Sequence, residues 1–139
     1  MSSPLADIRQ YSAYIYGLAE RHKFVTHSTL VLASIGATLA KLEGEIECQT
    51  GIVVAVWELV DFAEQRIRTY SYEIYRHGEK IGWYDPWPHP ENAALAATFP
   101  HHKHMPPDLR NNRVPAPGLG FAAPNLDAVL DDVSRDWLK

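Results

Sequence analysis

The chain predicts an α+β fold: a curved antiparallel meander of about five strands, a helix at each end, and a long proline-rich loop before the last helix. Three observations carry this. Apolar residues recur at three- and four-residue steps near both ends. They alternate at every second residue through the middle. Nine of the ten prolines fall between residues 86 and 124.

Ser3-Pro4 opens the first helix, since serine caps and proline suits a first position whose N–H has no partner. Ile8, Tyr11, Ile15 and Leu18 then form one apolar stripe, giving a helix from about Pro4 to His22. Ser28 to Ile35 reads as the first strand, with Gly36 as a bend. From Ala37 to Cys48 the period is two. Ala40, Leu42, Gly44, Ile46 and Cys48 face one way; Lys41, Glu43, Glu45 and Glu47 face the other. Cys48 is thus a core residue. Gln49-Thr50-Gly51 turns into Ile52 to Phe62, a β-branched and aromatic strand. Arg66 to Tyr75 alternates again, His77-Gly78 turns, and Lys80 to Tyr84 returns. Consecutive strands joined by short turns make a meander.

Residues 85–124 read as loop, with one helical turn through Glu91 to Ala97, because proline interrupts helix interiors and central ladders. Trp83, Trp87, Phe99 and Phe121 are its expected anchors. Asn125 is expected to cap the closing helix. Leu126, Val129, Leu130, Val133 and Trp137 form its apolar stripe, and Asp127, Asp131, Asp132 and Asp136 its wet face.

A length of 139 residues fits one domain spanning 1–139, with no second domain. The single cysteine excludes an intramolecular disulfide and a cysteine-rich zinc site. No apolar run approaches the ~18 residues of a membrane span. The N-terminus lacks a basic stretch followed by an apolar one. The expected location is the cytoplasm, with no membrane partner. The net charge of −4 is uneven: residues 66–113 hold seven Lys/Arg against five Asp/Glu, a local balance of +2, and five of the seven histidines. An acidic whole argues against nonspecific nucleic-acid binding. A local basic face still suits an anion.

The stretch T-F-P-H-H-K-H concentrates the chemistry. His101, His102 and His104 titrate near neutrality and flank Lys103. In an extended segment His102 and His104 project to one side, His101 and Lys103 to the other. Acid–base catalysis competes here with a plain polar patch beside proline turns. Asp85 and His89 lie in Y-D-P-W-P-H-P-E. Asp85 either orients a histidine or ends a strand. Three imidazoles would leave a metal an open position, and His89 or Asp85 would complete a site only if the loop folds back; the spacing is not H-E-x-x-H, so a metal-dependent hydrolase stands third and no metal or cofactor is expected. Arg66, Arg68, Arg76, Lys80, Arg110 and Arg113 form the basic group. Arg66 and Arg68 are expected to share a face with Tyr70 and Tyr72, a charge-and-ring row suited to single-stranded nucleic acid or a solvated outer surface. No glycine-rich phosphate loop and no G-x-S-x-G elbow is present.

In order, Y-S-Y-E-I-Y-R, G-W-Y-D-P-W-P-H-P-E and T-F-P-H-H-K-H resemble the TumE-type toxins of prokaryotic toxin–antitoxin modules. The matches are Tyr70, Ser71, Tyr72, Tyr84, Asp85, Pro88, His89, Pro90, Glu91 and Phe99 to His104. The usual family pattern has two adjacent histidines before Pro-Glu; here only His89 stands there, with Trp87 nearby. The tail after His104 is also longer than in many members. The resemblance implies a toxin encoded beside an antitoxin, often one with a DNA-binding helix-turn-helix domain, and many such toxins cut RNA. The first expectation is a metal-independent ribonuclease in which one histidine of 101–104 takes the 2′-OH proton and another protonates the leaving oxygen. Lys103, Arg76 or Arg113 would stabilise the phosphorane. The alternative is a non-enzymatic module that binds an antitoxin or cellular target through the histidine segment. Homodimerisation is left open.

Overall fold

A computed structural model describes residues 3–138. The N-terminal helix is broken twice. After a single turn at Pro4–Ala6, capped by the Ser3 hydroxyl, Asp7 caps α1 (Ile8–Tyr16). Gly17 then separates α1 from the short α2 (Leu18–Arg21). The expected stripe holds: Tyr11, Ile15 and Leu18 are buried, although Ile8 is exposed.

Eight strands follow where about five were expected. They are β1 (Val25–Ser28), β2 (Val31–Ser34), β3 (Leu39–Cys48), β4 (Ile52–Asp61), β5 (Arg66–Arg76), β6 (Glu79–Asp85), β7 (His102–His104) and β8 (Arg113–Pro115). All pairings are antiparallel in the order β1-β3-β4-β5-β6-β7-β8, with β2 also on β3, so the meander stands. The single strand expected over Ser28 to Ile35 is two segments on the same edge of β3, because the ladder breaks at Thr29-Leu30, where the Thr29 hydroxyl takes the Glu45 amide. At that break Gly44 has φ 142°, and a β-carbon there would lie 2.5 Å from the Thr29 carbonyl oxygen. Only glycine permits so close an approach.

The other extra strands lie inside the segment expected to be loop. Prolines 100, 106 and 107 bracket β7 without entering it, and Pro115 ends the edge strand β8, where a missing N–H costs nothing. The helical turn there runs over Ala93–Thr98. Trp87 and Phe99 are exposed and anchor nothing, whereas Trp83 and Phe121 are partly buried, as expected.

The closing helix α3 spans Leu126–Asp136. Asn125 takes the cap position without capping: its amide bonds Gly120 and the Tyr72 hydroxyl instead. The predicted stripe of α3 is wholly buried. Asp132 does not face water; it is buried and accepts from the Tyr84 hydroxyl at 2.9 Å. Helices α1 and α3 cover the same face of the sheet. Tyr11 of α1 and Tyr72 of β5 both donate to the buried Glu58 of β4, and the Tyr14 hydroxyl accepts from the Asp127 amide of α3. Cys48 lies in this core, as its strand position predicts. No helix among the described residues is long and apolar enough to cross a membrane.

Candidate functional site

The site begins with alternation along β6. Tyr84 points to the helices and contacts α3, which sends Trp83 and Asp85 to the other face. Register then places β7 beside them: Trp83 opposite His104, Tyr84 opposite Lys103, Asp85 opposite His102. Three polar groups converge there. His102 Nε2 lies 3.2 Å from Asp85 Oδ1 and 3.2 Å from His104 Nε2, which is 3.5 Å from Asp85 Oδ2.

Each group is held from behind. His102 Nδ1 faces the Pro100 carbonyl at 3.2 Å, and His104 Nδ1 faces the Leu109 carbonyl at 2.6 Å. A carbonyl only accepts, so both Nδ1 atoms carry a hydrogen, and in the neutral rings both Nε2 atoms turn a lone pair inward. The Asp85 carboxylate accepts from the Trp83 indole at 2.9 Å and from the Trp87 backbone amide at 2.8 Å. Trp83 also stacks on the His104 ring, with centroids 3.8 Å apart. His102 is 1 % and His104 4 % exposed, so the two imidazoles are almost out of water, while the Asp85 carboxylate is a quarter exposed. Burial pushes the His104 pKa down, with the bond to Leu109 and the Asp85 charge opposing it.

The four-residue cluster is divided between the two faces of β7. His101 joins the helix side, its Nδ1 2.6 Å from the Tyr70 hydroxyl and its ring 4.6 Å from Phe121. Its pKa is lowered by burial and then by the neighbouring His102. Lys103 pairs with Asp136 at 3.3 Å and Asp132 at 3.5 Å, so it clamps α3 to the sheet. The expectation that imidazoles and this cation share one hollow is therefore corrected, as strand alternation requires. His89 sets its ring edge-on against His102, 5.0 Å between centroids, with Nδ1 3.5 Å from Glu91.

The basic row is also divided. Leu59 pairs with Thr69 and Val60 with Ile67, which leaves Arg68 as an extra, unpaired residue. This bulge shifts the phase by one. Tyr70 and Tyr72 point into the core, while Arg66 and Arg68 are exposed, so the four do not share a face. Arg68 Nη2 and Nε both donate to Asp61 Oδ2, at 2.6 and 2.8 Å, and Arg66 lies over the Phe121 ring at 5.1 Å. The Glu64 backbone amide and the Arg68 guanidinium hold the Asp61 carboxyl below its usual range. Arg76 donates to the Trp137 carbonyl. Arg110 is exposed. Arg113 pairs across the ladder with His104, and its Nε is buried without a hydrogen-bond partner.

Pairing of β5 with β6 starts at Tyr72 and Tyr84, so the start of β5 runs on past the end of β6. A cleft of about 540 Å³ opens at that step, lined by Arg68, Thr69, Tyr70, Asp85, Trp87 and Phe121, with Pro86 and Pro88 on its wall. Asp85 belongs to both the cleft and the three-group cluster. Sequence reasoning missed the part played by Trp83, which alternation along β6 already places on the Asp85 face.

The family model described as Toxin TumE matches residues 15–137. No curated protein and no solved structure matches the chain.

Proposed function

The chain belongs to the TumE toxin family, and from that premise we propose that it is the toxin of a type II module that cleaves RNA at Asp85, His102 and His104. A toxin of such a pair has an antitoxin partner. In this reading the partner is a DNA-binding helix-turn-helix protein, and the complex works in the cytoplasm.

The observation that carries the reading is the meeting of two inward-facing Nε2 atoms with Asp85, which itself stands at the rim of an arginine- and aromatic-lined cleft. The cleft suits a strand of RNA. Arg68, paired on one side with Asp61, and Arg66 beside the cleft offer charge to phosphate, and Trp87 and Phe121 offer rings to bases. With Nδ1 of both rings committed to carbonyls, a single proton serves the two Nε2 atoms. One imidazole is then a base while the other is an acid, the complementary states that transesterification needs. The base takes the 2′-OH proton, the 2′-oxygen attacks phosphorus, and the bond to the 5′-oxygen breaks. The acid protonates that leaving oxygen, and a 2′,3′-cyclic phosphate results. Asp85 orients the pair, and Arg113, beside His104, steadies the phosphorane charge. This reading requires the segment from Pro86 to His89 to move aside, because both rings are buried.

Expression and RNA turnover of His102→Ala and His104→Ala test this. Each is expected to lose about 10²-fold or more in rate, whereas His101→Ala, on the opposite face, keeps most of it. Variants of both residues that stay as toxic and as active as the parent defeat the reading. The near-complete burial of the two rings favours a second reading, a non-enzymatic module that acts by binding its target. That reading predicts no RNA turnover by the pure protein, with or without metal.

A further inference from the structure

We infer that Asp85, His102 and His104 form a binding site for one zinc-class divalent ion. The expectation from sequence was a metal-free centre, because the histidine spacing matches no common ligand motif. The third donor comes from a different strand, through the Asp85–His102 register, and linear spacing does not display it.

Three observations converge. The donor atoms of these residues all lie within 4.8 Å of one another, and the shortest approaches are 3.2, 3.2 and 3.5 Å. Two ligands about 2 Å from a tetrahedral zinc stand about 3.3 Å apart. Asp85 meets the two rings with different oxygens, Oδ1 toward His102 and Oδ2 toward His104, and each approach is close to the ligand–ligand spacing of such a site. Every donor also has the outer partner that metal ligands characteristically have: Pro100 and Leu109 carbonyls for the imidazoles, the Trp83 indole and the Trp87 amide for the carboxylate. These partners fix the tautomer in which Nε2 is free to ligate. Finally, in the neutral rings two lone pairs and a carboxylate face each other, the rings buried and the carboxylate at the rim of the cleft. Such an arrangement is repulsive without a positive charge at its centre. Two imidazoles and one carboxylate suit zinc, cobalt or nickel over magnesium or calcium, which prefer oxygen alone. His89, against the His102 ring, and Arg113, across from His104, bound the site on either side.

An ion here takes the lone pairs that the proposed RNA chemistry uses, so the loaded protein is expected to be inactive. That consequence rests on the ribonuclease reading; the binding does not.

The experiment uses the full chain stripped with chelator and titrated with Co²⁺ under visible absorption, then with Zn²⁺ in competition. Saturation at one ion per chain is expected, with a ligand-field spectrum of low coordination number that zinc abolishes. His102→Ala and Asp85→Asn should weaken binding at least ~10-fold, while His27→Ala, on exposed β1, leaves it unchanged. Absence of a saturable spectrum in the wild-type chain overturns the site, whatever the variants do. So does unchanged affinity in both ligand variants. Cleavage assayed in parallel separates the two readings. One ion bound with no cleavage in any state sinks the ribonuclease and keeps the site. Cleavage without ion binding does the reverse. Cleavage that rises with zinc refutes the inhibition.

Discussion

Glu58 offers the sharpest physical test of the fold. It is 0 % exposed at the centre of the core, between the hydroxyls of Tyr11 and Tyr72, with Tyr70 close by. Burial raises its pKa from 4.5 to about 7, and the two hydroxyl donors pull it back only in part. Between those values the folded protein keeps a proton that the unfolded chain releases. Stability from this group is therefore fully present below pH 4.5 and is lost as pH rises through about 7. A rise of this size corresponds to about 3 kcal/mol in total, of which about 2 to 3 kcal/mol disappears between roughly pH 5 and 8. The perturbation is Glu58→Gln, whose amide offers an oxygen to one hydroxyl and an N–H to the other but cannot ionise. Urea unfolding of both proteins, followed by tryptophan fluorescence across that range, gives the difference. His101 and His104 slope the opposite way, because burial lowers their pKa values and stability from them is lost as pH falls. Subtracting the variant removes that background. The wild-type advantage should shrink steadily with rising pH. A difference that stays flat would mean that Glu58 is ionised in the fold and that the tyrosine hydroxyls outweigh burial.

Two further outcomes follow from the same structure. Lys103→Ala should destabilise the chain by about 2 kcal/mol by removing one of the two cations that pair with the buried Asp132. Tyr84 and Arg135 still bond that carboxylate and limit the loss, which is read by urea midpoint. RNA turnover at permissive temperature should be unchanged, because Lys103 faces away from the histidine pair. Gly44→Ala should cost about 2 kcal/mol or more, since φ 142° is strained for alanine and its β-carbon meets the Thr29 carbonyl. A melting temperature within a degree of wild type would contradict the close approach of the β1–β2 connection to β3.

Much of the fold was legible in particular residues. The alternation from Ala40 to Cys48 set the buried face of β3, and the His77-Gly78 turn set the β5–β6 hairpin. The stripe of Leu126 to Trp137 set the face of α3. Alternation also sorted His102 and His104 from His101 and Lys103 before any coordinates. What misled was the proline count. Prolines beside a three-residue strand look like prolines in a loop, because the pairing that makes β7 a strand comes from β6 and β8. The bulge at Arg68 was equally hidden. A one-residue slip leaves no mark in composition, yet it turned Tyr70 and Tyr72 inward and the arginines outward.

The amino-acid order alone settled what repeats locally: period, turn chemistry, the family resemblance, and which imidazoles share a side of an extended segment. Those properties depend on neighbours a few residues apart. Tertiary pairing decided that Asp85 stands against His102, that Lys103 belongs to α3, and that a cleft opens where β6 stops short of β5. Hydrogen-bond register between distant strands governs each of these, and register is a property of the assembled sheet.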